Sequence, residues 1–561
     1  MLETHHYGRC FNAFQSLSSP DVTCSWNHSL QYEEEVTVAV QTTIRKNAYY
    51  DSVTLMLITK DLAKLPGVED ILVGMATELN KELAANLNLL TPELEALSAN
   101  DFFVTAELSG EATMESLVNA LDALLSAKKS SAGSSYRPAS LQTALSNEPQ
   151  LNMALISLPG RFAAAEVEKA LDAGLHVMLF SDNVSIEDEK RLKEKAVSKQ
   201  LLMMGPDCGT AMINHIPLAF CNVVKPGGIG IVGASGTGTQ EIMSLIDQLG
   251  GGVSQVIGTG GRDLKSEIGG LMMLQAFEAL IADPETNVIV LISKPPAPDV
   301  AKKVLDLVKD AGKPVVVDFI GGDRSAIEAV GAVACISLED AARKAVALMR
   351  GESAPSDFAG FDVPEADIEA LAAHEAGKKA PTQKYLRGLF TGGTLADEAM
   401  KLLGPEIGTI WSNIPLKPEE QLKDVKVSAE HTVIDFGDDA FTVGRPHPMI
   451  DPSTRSERIV KEAAPDVAVL LMDVVLGYGS HPDPAGEVAA QIREARENIA
   501  ASGGDLTVIA SVCGTEGDPQ GLRASRETLS EAGAIVMPSN AQAVRLSAKI
   551  MKAIRDQGGE H

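Results

Sequence analysis

Aromatic residues are scarce, at 4% of the 561-residue chain, while hydrophobic residues as a whole make up 45%. A core built from Ala, Val, Leu and Ile argues for a layered α/β protein and against a sandwich or a disordered chain. Positive charge is also short: 48 Lys and Arg against 76 Asp and Glu leave a formal net charge of −28. Such a chain repels phosphate backbones and anionic lipid in bulk, which excludes nucleic acid and membrane surfaces as expected partners. No apolar run reaches bilayer length, and the opening MLETHHYGRCFNAF lacks the charged-then-apolar order of a secretory signal, so a cytoplasmic location is expected. The six cysteines, Cys10, Cys24, Cys208, Cys221, Cys335 and Cys513, show no C-x-x-C spacing. Neither a zinc site nor a disulfide framework follows, and reduced thiols are expected.

What the chain does have is a repeated loop. Gly233 to Met243 reads GASGTGTQEIM and Phe390 to Met400 reads FTGGTLADEAM, each placing Glu four residues after a Gly-Thr pair and Met two residues later. Each copy follows a short apolar run and precedes an amphipathic one, the pattern of strand, tight turn and helix. Glycine allows close backbone approach, and the first N–H groups of a helix lack internal partners at the positive end of its dipole, so each copy predicts an anion seat. Gly-rich turns of this kind also occur in parallel sheets without any ligand, but alignment of Gly, Thr, Glu and Met in both copies weakens that reading.

Length predicts about three or four domains. Residues 1–35 carry no period and read as an extension. Runs such as VTVAVQT, ILVGMA, DFFVTAEL, MALISLPG and VMLFSD alternate with helical patterns over 36–227, which predicts a doubly wound parallel sheet. A second βα series spans 228–350, residues 351–385 read as a linker, and a third series spans 386–555. The expected fold class is therefore α/β, with three doubly wound parallel-sheet domains.

Several motifs carry a resemblance. LISLPGRFAAAEVEKALDAGLHVMLFSDNVS followed by LMMGPDCGTAMI looks like the end of the CoA-binding domain of the succinyl-CoA synthetase α subunit. GIGIVGASGTGTQE and IGTGGRD resemble that subunit's ligase domain, and Leu386 onward resembles the matching domain of the β subunit. SDNVSIEDE, MGPDCGTAMI, GTGGRDL, SKPP and VGRPHPMIDP resemble, more narrowly, the FdrA proteins. The resemblance implies a Rossmann-like CoA-binding-type domain followed by two flavodoxin-like ligase-type domains. Two departures stand out. Where such synthetases phosphorylate a histidine after the strand written here VVVDFIGG, this chain continues DRSAIEAVGAVACISLEDAAR, without histidine. The ATP-grasp module of the β subunit is absent as well, and no G-x-x-x-x-G-K-[ST] replaces it.

FdrA proteins are linked to oxamate carbamoyltransferase in allantoin and purine catabolism. The resemblance thus implies carbamoyl exchange between oxamate and carbamoyl phosphate, with partner subunits from the same operon and small anionic substrates, an acyl phosphate and a carboxylate. On that reading Ser235, Gly236, Thr237, Gly392, Gly393 and Thr394 seat the phosphate, and Arg262, Lys294 or Arg445 neutralises the remaining charge. Arg445, stiffened by prolines, suits two-pronged anion binding or is a surface residue, and His447 polarises a carbonyl, moves a proton or only bonds the backbone. Gly205, Pro206, Asp207, Gly260, Gly261, Asp473 and Thr515 end strands or open loops on the side where doubly wound sheets bind ligands. CoA binding near Gly205 to Gly209 is the mark of the alternative, an acyl-CoA synthetase completed by a partner's ATP-grasp module. A second alternative is a non-catalytic scaffold. Asp435, Asp438 and Asp439 offer oxygens to Mg²⁺ or form a solvated acidic turn, and no metal site is predicted. A homo-oligomer or hetero-complex is expected by analogy.

Overall fold

The computed structural model describes residues 39–558 except 47, 49, 51, 99–100, 111, 132–137, 139, 359–362 and 443–444, so the proposed extension over 1–35 lies outside the described residues. The chain divides into two compact units, at residue 127.

The first unit is antiparallel where the sequence predicted a parallel sheet. Strands β1 (Ala39–Arg45), β2 (Val68–Met75) and β3 (Phe102–Leu108) lie in the order β1-β3-β2, and β3 pairs antiparallel with both neighbours. Alternation along β3 sends Phe102, Val104, Ala106 and Leu108 into one core with Leu55, Ile58, Leu117 and Leu121 of the flanking helices. Phe103 enters a second core with Leu72, Ala84, Leu89 and Leu94, so both faces of the sheet are covered. Hydrophobic alternation reports which face a residue takes and says nothing of strand direction, which is why this part of the expectation over 36–227 fails.

The second unit holds three sheets. Strands β4 (Met153–Ile156), β5 (His176–Leu179) and β6 (Met203–Met204) form a small parallel sheet. His176 accepts the Leu202 N–H at 2.9 Å, a structural role. A hairpin of β7 (Thr210–Ile213) and β8 (Ile216–Ala219) then joins the edge of a seven-stranded sheet with β9 (Pro226–Gly233), β10 (Val253–Gly258), β11 (Val288–Ser293), β12 (Val315–Phe319) and β13 (Val333–Ala334). The six-stranded sheet contains β14 (Tyr385–Phe390), β15 (Trp411–Ser412), β16 (Thr432–Asp435), β17 (Val467–Val475), β18 (Thr507–Cys513) and β19 (Ala534–Met537). In the first of these the parallel order is β10-β9-β11-β12-β13, and in the second β16-β14-β17-β18-β19 with β15 at the rim. Both are the doubly wound order in which the first strand lies inside and the chain reverses direction beside it, the place where such sheets take ligands. The two Gly-Thr loops follow those two strands, β9 and β14.

A shared core joins the halves, with Ile242, Leu338 and Ala341 of one packed among Leu395, Met400 and Val544 of the other. The pairing is reciprocal. Glu398 accepts the N–H of Leu338, which opens a helix of the first half, and Glu241 accepts the N–H of Asn540, which opens the last helix of the second. These are the two glutamates of the repeat, and each caps the other domain's helix. Residues 351–385, expected as a linker, contain the helix Glu365–Ala376 instead. Its Ile368 and Ala372 are one turn apart and enter the shared core, and Arg545 and Lys549 bind Glu365 at 2.5 and 2.6 Å.

Candidate functional site

The two loops meet. Ser235 caps its helix, Gly236–Gln248, by accepting the Gly238 N–H at 3.1 Å, and its hydroxyl lies 2.6 Å from that of Thr394 on the helix Gly393–Ile407. Gly392 is pressed on Thr237 so closely that a Cβ there would stand 2.7–2.9 Å from three atoms of that side chain. Gly392→Ala is therefore expected to force the tips apart at a cost of about 1–3 kcal/mol. Thermal unfolding measures the loss, and an unchanged melting temperature would show that the tips separate freely.

The second tip is held from behind. Asp473, fully buried on β17, accepts the Thr391 N–H at 2.8 Å, the Thr391 hydroxyl at 3.0 Å and the Gly392 N–H at 2.9 Å. Arg455, itself 1% exposed, donates to the Asp473 carboxylate at 2.8 Å and to its carbonyl at 2.6 Å. Asp473 thus supports the loop from within rather than facing a ligand. In front of the tip lies Asp435, whose Oδ1 accepts the Gly437 N–H at 2.8 Å and whose Oδ2 is 2.5 Å from the point a Cβ on Gly393 would take. Burial pushes its carboxyl up to about 7, with Lys294 acting against the shift and Asp438 and Asp473 with it. Of the two readings for Asp435 in the sequence, neither the solvated turn nor a magnesium ligand matches this enclosed placement.

His447 sits beside them. Its Nδ1 accepts the Met449 N–H at 3.2 Å, which assigns the proton to Nε2, and burial lowers its pKa to about 4, so the ring is neutral near pH 7. Nε2 lies 2.7 Å and Asp435 Oδ1 3.1 Å from the place where Gly437 lacks a side chain. Phe220 packs against the imidazole with ring centroids 5.7 Å apart. Thr210, at the start of β7, is 2% exposed, its Oγ1 has no hydrogen-bond partner, and it lies 3.9 Å from the Cβ position of Gly236.

The remaining sequence candidates scatter. Gly260, at φ +83°, lets its loop pack on Gly205 and Pro206, and Asp207 Oδ2 comes 3.9 Å from the Cβ position of Gly261, so these five form one rim. Asp207 keeps an exposed edge, yet desolvation by the protein crowded around its carboxyl, reinforced by Asp182 and Asp439, raises it to about 6. Arg262 is engaged in fold architecture: it binds Glu189 at 2.8 Å and donates to the Val184 carbonyl at 2.7 Å. Beside it the buried Lys193 ties Glu189 to Asp263 at 2.9 and 2.8 Å. Lys294 pairs with Asp397. Arg445 is exposed and donates to Thr454 at 3.4 Å. Thr515 is fully buried between the halves, donating to the Val223 carbonyl at 2.5 Å, and makes no part of the tips. Cys208 is buried, which pushes its thiol up to about 12 and removes it as a nucleophile. Sequence reasoning missed Arg455 and Thr210. Arg455 lies 18 residues from its carboxylate on another element, and Thr210 stands within the GPDCGT motif without any mark of its own.

Comparison with known proteins places this geometry. The CoA-ligase family matches residues 389–550, the CoA binding domain family 224–321, and "AllF, heavy metal-associated domain" 38–140. The CoA-binding match thus falls on the sheet around β9, which the sequence reading had assigned as the first ligase-type domain. The chain is 47% identical over 504 residues to "Uncharacterized protein YahF" of Escherichia coli (strain K12), covering 90% of this chain and 97% of that one. The chain belongs to the FdrA family. This FdrA protein is also 29% identical over 173 residues to the succinate–CoA ligase [ADP-forming] subunit alpha 2 of Archaeoglobus fulgidus, covering 30% of itself and 58% of that subunit. A dinucleotide-forming acetyl-coenzyme A synthetase of Ca. Korarchaeum cryptofilum is a looser structural likeness, at 16% identity and TM-score 0.31 over 74% of this chain and 86% of that one. The FdrA chain is thus succinyl-CoA ligase-like, with CoA-binding and CoA-ligase domains. A heavy-metal role for 38–140 does not fit its residues, which include neither Cys nor His. Among the described residues no group of three or more His, Cys, Asp and Glu could hold a metal ion. No helix of the described residues is long and apolar enough to cross a membrane.

Proposed function

We propose that this FdrA chain transfers an acyl group between phosphate and a small carboxylate-bearing acceptor without a phosphorylated enzyme, as in carbamoyl exchange between oxamate and carbamoyl phosphate. It does so as one subunit of a complex. The observation that carries the reading is the direct contact of the two helix tips, Ser235 on Thr394, with no histidine anywhere between His215 and His374 to stand in the segment after β12. Amide N–H groups of Gly236 and Thr237 and the surrounding hydroxyls suit a phosphoryl group, and the neutral His447 Nε2–H suits a carbonyl oxygen on which negative charge develops. In the overall step the acceptor's nitrogen bonds to the carbonyl carbon, the carbon–oxygen bond to phosphate breaks, and phosphate leaves with that electron pair while the nitrogen gives up a proton.

A second reading, an acid–thiol ligase whose nucleotide module sits on a partner chain, is favoured by the CoA-ligase and CoA-binding matches and by the free Nε2 of His447 beside the second tip. The two readings part in two measurements. Co-expression with the operon neighbours is expected to yield oxalurate from carbamoyl phosphate and oxamate. Calorimetry with CoA on the purified chain is expected to show no binding. Micromolar CoA affinity, or an acid-labile phosphate on His447 after incubation with an acyl phosphate, would establish the ligase instead.

A further inference from the structure

The two tips have the same sequence pattern but different surroundings. At the Gly393 tip the loop amides of Thr391 and Gly392 are already bonded to Asp473, and the Asp435 carboxyl stands against Gly393 itself. A helix N-terminus that faces a carboxyl from its own chain has its positive end answered, and a second anion there would meet like charge. Among the described residues no carboxyl comes within 4 Å of the Cβ position of Gly236. Ser235 accepts the Gly238 N–H and shares a hydrogen bond with the Thr394 hydroxyl, and the Thr210 hydroxyl, buried and without a partner, stands 3.9 Å from the Cβ position of Gly236. A buried hydroxyl without a partner costs about 1–3 kcal/mol, which a bound oxyanion would recover. The two tips touch through Ser235 and Thr394, so Gly236 and Gly393 lie one residue to either side of that contact.

Building on the acyl-transfer reading, we propose that the tips have divided the work: the Gly236 tip with Thr210 is the single phosphoryl seat, and Asp435 at the Gly393 tip is the group that accepts the proton of the attacking nitrogen. The acceptor N–H proton passes to Asp435 Oδ2 as the nitrogen–carbon bond forms, and Asp435 then returns it to the departing phosphate, leaving the carboxylate as it began. Oδ1 is fixed by the Gly437 N–H, which leaves Oδ2 as the basic atom. Besides burial, the groups that set its basicity are the Gly437 N–H and Lys294 from the β11 loop, which lower it, and Asp438 on its own turn and Asp473 from β17, which raise it, while the neutral His447 faces it across Gly437. Burial gives it a basicity near that of the working pH, which suits a general base.

Two arms test this with separate readouts. The first uses inorganic phosphate and the full chain: wild type is expected to bind one phosphate, Thr210→Val to bind it about tenfold more weakly, Thr210→Ser to bind as wild type, and Asp435→Asn to bind one phosphate at least as tightly as wild type. Two phosphates per wild-type chain, no effect of Thr210→Val, or weakening by Asp435→Asn would overturn the division. The second arm uses the assembled complex with carbamoyl phosphate and oxamate across pH 5 to 9. Asp435→Asn is expected to lower kcat by about 100-fold or more and to remove the acid limb of the profile, with KM for carbamoyl phosphate little changed and Asp435→Glu recovering part of the rate. A rate for Asp435→Asn close to wild type would remove it as the base. If the first arm holds and the wild-type complex makes no product, the carbamoyl reading falls while the single seat stands. The converse result discards the seat and keeps the reading.

Discussion

Replacing Arg455 with Met is expected to destabilise the protein by about 3–5 kcal/mol, because Asp473 then loses its ion-pair partner while remaining fully buried. Burial raises the Asp473 carboxyl and lowers the Arg455 guanidinium, and each group acts against the other's shift. Chemical unfolding of Arg455→Met, Asp473→Asn and the double variant gives the measure. The double variant should recover much of the loss, since both charges vanish together. A single Arg455→Met change costing less than about 1 kcal/mol would show that the Thr391–Gly392 loop does not depend on this pair. The reach of the prediction is functional as well: Asp473 fixes the two amides that precede the Gly393 helix, so a loosened pair blurs the second tip and with it the position of Asp435.

Stability is expected to fall as the pH rises from about 5 to about 8, and Glu398→Gln is expected to flatten that fall. Burial pushes the Glu398 carboxyl up to about 8, and Asp318 and Glu241 reinforce the shift, while bonds from the Leu338 N–H and Asn540 oppose it. Between its unfolded value of 4.5 and about 8 the native state therefore holds more protons than the unfolded chain. Its contribution is complete below 4.5 and is lost as the pH climbs through that window. Across it the change is on the order of 5 kcal/mol for Glu398. Glu241, raised to about 7 by burial, adds a smaller decline in the same direction. Unfolding free energies of wild type and Glu398→Gln at several pH values settle it: parallel curves would mean that Glu398 is not the proton-holding group between the halves.

The glutamates illustrate how much of this molecule could be read beforehand. Their recurrence four residues after each Gly-Thr pair was plain in the sequence, as was the strand–turn–helix character of both loops. That Glu241 caps Asn540 and Glu398 caps Leu338 was not, since the partners lie 299 and 60 residues away. The same distance hid the fates of the basic candidates. Arg262 reads as a free cation at a strand end, yet Glu189, far upstream on another element, binds it. Lys294 meets Asp397 in the same way. Asp435 looked like one of three aspartates on a polar turn, and its burial, which only the tertiary fold decides, is the main cause of its raised basicity. The helix over Glu365–Ala376 was obscured by flanking prolines and charge, although Ile368 and Ala372 were spaced to bury one face.

By itself the sequence determined the periodicities: alternating strands and helices, two glycine turns with bare amides at their helix starts, an excess of negative charge, and the lack of a histidine after β12. These are local properties, set by backbone sterics and by which side chains can face water. Strand direction in the first unit, the contact of Ser235 with Thr394, the orphaned Thr210 hydroxyl and the buried pairs around Asp473 and Lys193 were decided by tertiary structure alone. Each depends on groups brought together from distant parts of the chain in surroundings with little water, where burial and a single partner fix charge and position far more strongly than any near neighbour in sequence can.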